Sequence, residues 1–327
     1  MKRPDWKTAQ AAAVTDPARL LDMLGLADAL LPAALAAAKA FPLRVPHAYI
    51  QRMKSGDPAD PLLRQVLPLG EELMDAAGFG PDPVGESRAH IAPGLLQKYD
   101  GRVLLTTTGA CGVHCRYCFR RHFPYSEQNP RRDWKAVTAR IAADTGIREV
   151  ILSGGDPLTL DTSRLREITN ALAPLPQLRR LRLHTRQPVV LPERVDADLL
   201  AWLQEIPFDL AIVLHINHAN ELDDALREAI AALRTTGATL LNQSVLLRGV
   251  NDSADALVNL SESLFAAGVL PYYLHLLDPV AGAAHFDVPE QEAREILIDV
   301  HARLSGYLVP RLVREIPERA GKTLINL

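Results

Sequence analysis

From Val103 onward, short apolar runs alternate with amphipathic segments whose apolar residues recur at helical spacing. The apolar runs predict six strands: VLLTT (103–107), EVILSG (149–154), LRRLRLHT (178–185), DLAIVLHI (209–216), TLLNQSVLL (239–247) and YYLHLL (272–277). The amphipathic segments predict helices near 133–144, 161–173, 195–205, 222–236, 253–267 and 289–304. Six β-then-α units in series favour parallel strands joined by right-handed crossovers.

Two architectures fit such a series, an open doubly wound sheet and a full or partial barrel. No GxGxxG sequence follows the first predicted strand, which favours the barrel. We therefore expect an α/β fold, a partial (β/α)6-type barrel preceded by an N-terminal helical region.

The first part of the chain has a different pattern, with helices and turns up to about residue 98. Segments 16–26 and 27–41 carry apolar residues at helical spacing, and the Pro- and Gly-rich stretch 81–94 is typical of a connector. The sequence thus predicts an N-terminal helical region over 1–98 and a barrel domain over 99–327.

Composition and charge narrow the classes of partner. The 327 residues include 36 Lys and Arg against 39 Asp and Glu, a net charge of -3, so nucleic acid is not held through bulk positive charge. The longest apolar run, Ala29–Ala38, is interrupted by Pro32 and is too short to span a bilayer. The first ten residues, MKRPDWKTAQ, lack the apolar core of a secretory signal. We expect a cytoplasmic protein that binds neither nucleic acid nor membranes.

All 3 cysteines of the chain lie in one short segment, as Cys111-x3-Cys115-x2-Cys118, directly after the first predicted strand. An odd number of cysteines in a chain without a secretory signal does not indicate a disulfide framework. Three thiolates on a short loop can bind three irons of a 4Fe–4S cluster and leave the fourth iron open to another ligand. A Cys3His zinc site that includes His122, or three reduced structural cysteines, are the alternatives.

The cysteine spacing resembles the signature of the radical S-adenosylmethionine enzymes. In that family the methionyl group chelates the open iron, and one-electron reduction yields a 5′-deoxyadenosyl radical. From about Lys98 to Lys322 the chain also resembles lysine 2,3-aminomutase. Six segments carry this resemblance: CRYCFRRHF (115–123), SGGDPL (153–158), HTRQPVV (184–190), HINHANE (215–221), NQSVLLRGVND (242–252) and YYLHLLDPVAGAAHF (272–286).

The resemblance implies roles for individual residues. Lys322 matches the lysine that carries pyridoxal 5′-phosphate, Arg102 matches a ligand of its phosphate, and Arg120 matches the arginine that holds the substrate carboxylate. Asp278 and Glu315 match the two carboxylates that hold the ε-ammonium of lysine, although the mutases have an aspartate where Glu315 stands. The residues expected to contact S-adenosylmethionine are Ser153, Gly154, Gly155, Asp156, His215 and Gln243.

The resemblance also implies a function. The sequence ends five residues after Lys322, without the C-terminal extension of the free-lysine mutases, and so is similar to the short elongation factor P (R)-β-lysylation proteins. We expect conversion of L-lysine to (R)-β-lysine for modification of elongation factor P, together with a β-lysine ligase and an electron donor such as flavodoxin or ferredoxin. Two alternatives are β-lysine production for catabolism or as an osmolyte, and a non-catalytic iron–sulfur or zinc binding module.

Overall fold

The computed structural model describes residues 5–126 and 134–327, and at its centre is a ten-stranded sheet. The strands are β1 His90–Ala92, β2 Leu95–Tyr99, β3 Arg102–Thr108, β4 Glu149–Gly154, β5 Arg180–Thr185, β6 Asp209–Leu214, β7 Thr239–Val245, β8 Leu270–His275, β9 Arg311–Arg314 and β10 Thr323–Leu324. The α-helices are α1 Trp6–Ala11, α2 Pro17–Met23, α3 Leu31–Ala40, α4 His47–Ile50, α5 Pro61–Arg64, α6 Trp134–Ala143, α7 Thr162–Leu172, α8 Gln187–Val190, α9 Ala197–Glu205, α10 Asp224–Arg234, α11 Ala254–Ala267 and α12 Glu290–Arg303.

The order of the strands decides between the two predicted architectures. A doubly wound sheet reverses its strand order at a switch point. Here the strands lie side by side in chain order, and β3 to β9 are all parallel. The predicted partial (β/α)6-type barrel is therefore confirmed. The ends of the six predicted strands and helices differ from the observed ends by at most two residues, and residue 133 lies outside the described ranges.

The alternation of side chains along each strand separates the core from an inner face. In β4, Val150 and Leu152 are fully buried in the main apolar core, whereas Ile151 between them lines an internal cavity. Helix α10 packs on the core side through Leu226 and Ile230, which are spaced by one helical turn. The helices thus cover one face of the sheet and leave the other face for a site.

Four strands were not predicted. β1 and β2 form a hairpin around Gly94, whose φ is +70°, and this hairpin pairs antiparallel with β3. β9 adds a seventh parallel strand, and β10 returns antiparallel to it. The end of the region predicted as helices and turns is therefore part of the sheet, and β2 crosses the boundary predicted at residue 98. Strands of two to five residues are too short to show a clear period in the sequence.

The N-terminal helices α1 to α5 pack around an apolar cluster of their own. Leu20, Tyr49 and Leu62 belong to this cluster, which also includes Val113 and contacts Cys115 of the cysteine segment. The helical region therefore packs directly against the loop that carries the cysteines. No helix in the described ranges is both long enough and apolar enough to cross a membrane.

Candidate active site

A cavity of about 560 Å³ lies along the inner face of the partial barrel. It extends from Cys111, just beyond the carboxyl end of β3, to Arg102 at the amino end of the same strand. Its volume is within the range of small-molecule sites. All the predicted site residues line it: Arg102, Cys111, Cys115, Cys118, Arg120, Ser153, Gly154, Gly155, Asp156, His215, Gln243, Asp278, Glu315 and Lys322.

The cysteine loop owes its path to buried ion pairs with the N-terminal helical region. Glu72 accepts hydrogen bonds from Arg116 Nε at 2.7 Å and Nη2 at 2.5 Å, and from Arg121 Nη2 at 2.9 Å. Arg116 Nη1 donates to Phe41 O at 2.8 Å, and the Arg116 backbone N–H donates to Gln65 O at 2.9 Å. The loop is thus shaped by residues far away in sequence.

The surroundings of the thiols suit a polynuclear cluster. Burial raises the pKa of Cys111, and it raises the pKa of Cys118 to about 11, so a stable thiolate there needs a bound cation. Among the described residues, no three His, Cys, Asp or Glu side chains are placed to hold a metal ion. His122 lies outside the cavity, with Nε2 3.2 Å from Ala281 O. The position of His122 therefore gives no support to the alternative Cys3His zinc site, whereas a 4Fe–4S cluster needs only the three thiolates, each on its own iron.

Gly154 and Gly155 fit against the backbone that leads into the cysteine loop. A Cβ atom on Gly154, where φ is +116°, would lie 2.6 Å from Thr108 O, and one on Gly155 would lie 2.3 Å from Ala110 O. The family resemblance predicts that these glycines contact S-adenosylmethionine. In the structure, glycine is required at both positions because the backbone of this turn lies against the backbone at Thr108 and Ala110. The contact of the two glycines with S-adenosylmethionine stays a prediction.

Asp156 lies in the turn after β4 and joins this turn to the end of β5. Its Oδ1 accepts hydrogen bonds from Thr185 Oγ1 at 2.7 Å and Leu158 N at 3.0 Å, and its Oδ2 accepts from Arg186 N at 2.6 Å and Gln187 N at 2.8 Å. Both carboxylate oxygens are thus engaged within the protein. The observed contacts assign Asp156 to positioning this turn, and its predicted contact with S-adenosylmethionine remains untested.

Arg120, predicted to hold the substrate carboxylate, is already paired with a carboxylate that was not predicted from the sequence. Its Nε and Nη2 donate to Glu86 at 2.8 and 2.7 Å, and its Nη1 donates to Ser153 Oγ at 3.0 Å and Gly154 O at 3.2 Å. Both side chains of the ion pair are buried. Glu86 lies in the connector 81–94, and an acidic residue within a Pro- and Gly-rich stretch was its only sequence signal.

Lys322 lies in a second charged cluster, just before β10. Its Nζ is 2.9 Å from Glu315 Oε2, and Glu315 Oε1 accepts from Tyr99 Oη at 2.5 Å and Lys98 Nζ at 3.5 Å. Burial raises the pKa of Glu315, but the two ammonium groups outweigh it, and the net shift is downward. Glu315 is therefore an ionised counterion of Lys322. No role was predicted for Lys98 or Tyr99 from the sequence.

Asp278 belongs to the same cluster but differs in its hydrogen bonding. Its Oδ1 is buried and has no hydrogen-bond partner among the described residues. Burial raises the pKa of Asp278 to about 7, although the nearby Lys322 opposes this shift. Buried polar atoms are usually satisfied. An unsatisfied carboxylate oxygen in a cavity is therefore a candidate for binding a cationic ligand.

Positive charge gathers at the amino end of the strands. The guanidinium of Arg102 stacks over the Tyr99 ring, 4.4 Å from its centroid. Arg180 and Arg182 line the same end of the cavity, and Glu149 pairs with both, at 3.5 and 2.6 Å. These three arginines and one glutamate carry a net positive charge, and guanidinium groups are suited to binding a phosphate.

His215 and Gln243 line the cavity between its two charged ends. His215 Nε2 is 3.4 Å from His184 Nδ1, and burial lowers the pKa of His215 to about 4. The imidazole is therefore neutral near pH 7 and can offer a ligand a hydrogen bond but no charge. Contacts of His215 and Gln243 with S-adenosylmethionine stay predictions.

The chain is similar to several known proteins. Residues 105–260 match the family model described as the Radical SAM superfamily. The chain is 49% identical to the L-lysine 2,3-aminomutase of Escherichia coli strain K12, over 99% of this chain and 95% of that protein. It is 46% identical to the protein of the same name from Haemophilus influenzae, over 98% and 95%. A solved radical SAM methyltransferase from Sphaerobacter thermophilus is 17% identical, with a TM-score of 0.46, over 67% of this chain and 68% of that chain.

The family match spans the cysteine segment. The Radical SAM match covers Cys111, Cys115 and Cys118, and so supports the predicted 4Fe–4S cluster and S-adenosylmethionine. The two aminomutases match nearly the whole of this chain and nearly the whole of their own length. This protein therefore belongs to the radical S-adenosylmethionine lysine 2,3-aminomutase family.

Proposed function

We propose that this protein is an L-lysine 2,3-aminomutase, an isomerase that converts L-α-lysine to (R)-β-lysine by radical 1,2-amino migration. The observation that carries the proposal is one cavity that joins the cysteine triplet to Lys322, to Asp278 and to the cationic end at Arg102. Among the described residues, Oδ1 of Asp278 has no hydrogen-bond partner. A radical source, an amine for a carbonyl cofactor and a counterion for a cationic substrate are thus within one enclosure. Family membership supports the same activity.

The residues of the cavity fit the implied cofactors. The three cysteines would hold the 4Fe–4S cluster, with S-adenosylmethionine on its open iron. Lys322 would hold pyridoxal 5′-phosphate through Nζ, and Arg102, beside Arg180 and Arg182, would hold the phosphate. When bound, the cluster and S-adenosylmethionine supply a carbon radical, and the pyridine ring stabilises the radical during nitrogen migration. The protein contributes binding, orientation and exclusion of water.

The charged side chains would fix both ends of the substrate. Asp278 suits the ε-ammonium because its Oδ1 is buried and unsatisfied, and a bound ammonium would lower its pKa from about 7. Glu315 pairs with Lys322 in the structure and would be freed to meet the substrate as Lys322 takes up the cofactor. Glu86 holds Nε and Nη2 of Arg120, so the α-carboxylate would be received at Nη1, in exchange for the present hydrogen bond to Ser153 Oγ.

The decisive experiment is product analysis. Reconstituted protein is incubated anaerobically with lysine, dithionite and S-adenosylmethionine, and the product is resolved by chiral chromatography. We expect (R)-β-lysine from the wild type, none from Lys322→Ala, and an unchanged rate from Lys135→Ala, a lysine outside the cavity. Unchanged lysine in the presence of an intact cluster and bound pyridoxal phosphate would overturn the proposal and favour a binding module.

The pathway is a finer part of the proposal. The resemblance to the short elongation factor P (R)-β-lysylation proteins supports β-lysine production for that modification in the cytoplasm, with flavodoxin or ferredoxin as electron donor. In a deletion strain we expect elongation factor P to lose its β-lysyl mass and to regain it when (R)-β-lysine is supplied. An unchanged mass of elongation factor P would favour the use of β-lysine in catabolism or as an osmolyte.

A further inference from the structure

A buried arginine without an assigned role reaches one of the cysteines. Arg186 directly follows β5, and its Nη1 donates to Cys115 Sγ at 2.9 Å and also to the hydroxyl of Tyr117. Its Nη2 donates to Gln65 Oε1 at 2.6 Å and Tyr49 Oη at 3.0 Å. The guanidinium is thus held between the N-terminal helical region and the cysteine loop, and its Nη1 contacts the sulfur of Cys115.

The charge of Arg186 is balanced on the side away from the sulfur. Its Nη2 is 2.9 Å from Glu221 Oε2, and the Glu221 side chain is fully buried. Glu221 is itself fixed by the backbone N–H groups of Asn217 at 2.8 Å and His218 at 3.1 Å. The backbone of Arg186 is held by Asp156 at 2.6 Å. This ion pair is therefore a fixed dipole whose positive end lies on Cys115.

We propose that Arg186 raises the reduction potential of the 4Fe–4S cluster by donating a hydrogen bond to the thiolate of Cys115. Hydrogen bonds to cluster sulfurs are among the factors that set the potential. One electron from a donor enters the cluster and no bond is formed or broken, so the reduced cluster is more negative by one charge. A cationic donor in a buried site stabilises that extra charge. The proposal depends on the cluster and not on the identity of the substrate.

The test is a redox titration monitored by electron paramagnetic resonance, on anaerobic cluster-loaded protein without lysine or S-adenosylmethionine. Arg186→Met combined with Glu221→Gln removes both charges of the pair, so that no unpaired charge is buried. We expect an unchanged iron content and a reduction equilibrium constant at least about tenfold lower, which corresponds to a midpoint about 59 mV lower. An unchanged midpoint in variant protein with full iron content would overturn the proposal.

Tyr49→Phe is the matched control. It removes an acceptor of Nη2 and leaves the contact between Nη1 and Cys115 in place. We expect its midpoint to equal that of the wild type. An equal fall in both variants would mean that general loosening of the network, and not the hydrogen bond to sulfur, changes the potential.

A measurement on the wild type makes the test independent of variant folding. Protein labelled with guanidino-15N arginine should show a 15N coupling to the reduced cluster in pulsed electron paramagnetic resonance, and Arg186→Lys should abolish it. Absence of the coupling in the wild type would refute the proposed contact. Because lysine is absent from every sample, a protein that failed to isomerise lysine would still give a clear result here.

Discussion

At Asp278 the requirements of binding and of stability oppose each other. Burial raises the pKa of Asp278 from an ordinary value of 3.8 to about 7. Between these two values the unfolded chain releases a proton that the folded protein keeps. The unfolded state then binds fewer protons, so the free energy of unfolding falls as the pH rises through this window. A carboxylate placed for a cationic ligand therefore lowers stability until that ligand binds.

We expect Asp278→Asn to stabilise the protein at pH 8, before pyridoxal phosphate is added, and to have little effect near pH 4. A shift of roughly three pKa units, in which the opposing attraction of Lys322 is already included, corresponds to at most about 4 kcal/mol. Thermal unfolding of both proteins from pH 4 to 9 measures the difference. Equal stabilisation at both ends of this range would exclude ionisation as the cause.

The same substitution should impair activity. Leaving the substrate ammonium without its buried counterion costs about 3–5 kcal/mol, so we expect kcat/KM for lysine to fall by at least about a hundredfold. A substrate with an uncharged side chain should be affected much less.

Glu315→Asp should retain measurable activity, since the resemblance places an aspartate there in the longer mutases. Wild-type rates for both Asp278→Asn and Glu315→Gln would show that neither carboxylate binds the substrate.

At the scale of elements, the cysteine loop depends on a region that precedes the barrel. The loop follows β3, yet two of its buried arginine side chains, Arg116 and Arg121, pair with Glu72 of the helical region. Apolar packing of Val113 on the N-terminal cluster adds to this attachment. The helical region is therefore a structural part of the cluster site.

Glu72→Gln should loosen the cysteine loop. The substitution leaves Arg116 and Arg121 without their buried counterion, which costs about 3–5 kcal/mol. We expect a thermal midpoint lower by several degrees and faster loss of iron to a chelator, measured by calorimetry and iron assay. Glu167→Gln breaks an exposed pair with Arg164 and should change stability by less than about 1 kcal/mol. Similar losses in both variants would contradict the role given to Glu72.

At the scale of the whole molecule, one cavity is built from elements at opposite ends of the barrel domain. The cysteines follow the first parallel strand, and Lys322 precedes the last strand of the sheet. On the proposed assignment, the two cofactor sites would share this cavity without sharing any ligand. Each cofactor should therefore load without the other.

We expect Lys322→Ala to lose the pyridoxyl adduct trapped by borohydride and to keep about four irons per chain. Cys118→Ala should show the reverse, with the adduct retained and the iron lost. Iron assay and peptide mapping of the trapped label measure both. Label on a different lysine would refute the assignment of Lys322, and zinc at about one per chain without iron would refute the cluster.

The sequence by itself determined the repeating units and the reactive triplet. In each predicted strand and helix the apolar residues recur at the spacing of that element, and the apolar side of each element packs on one shared core. The spacing of Cys111, Cys115 and Cys118 is equally local, and the chemistry of three nearby thiolates follows from residue type alone. The turn Ser153–Asp156 could likewise be expected to lie near the reactive site, since chemistry in such barrels gathers beyond the carboxyl ends of the strands.

Only the tertiary structure decided which charged groups meet. Glu86 pairs with Arg120, Glu72 with Arg116, and Arg186 with Cys115, across 34, 44 and 71 positions of the chain. These contacts leave no periodic signal, because they depend on how separate elements pack and not on the pattern within one element. The same holds for Gly154, whose missing side chain is explained by a neighbouring backbone segment. Burial then determines the pKa of each charged group, as at Asp278, and burial depends on the packing of the whole chain.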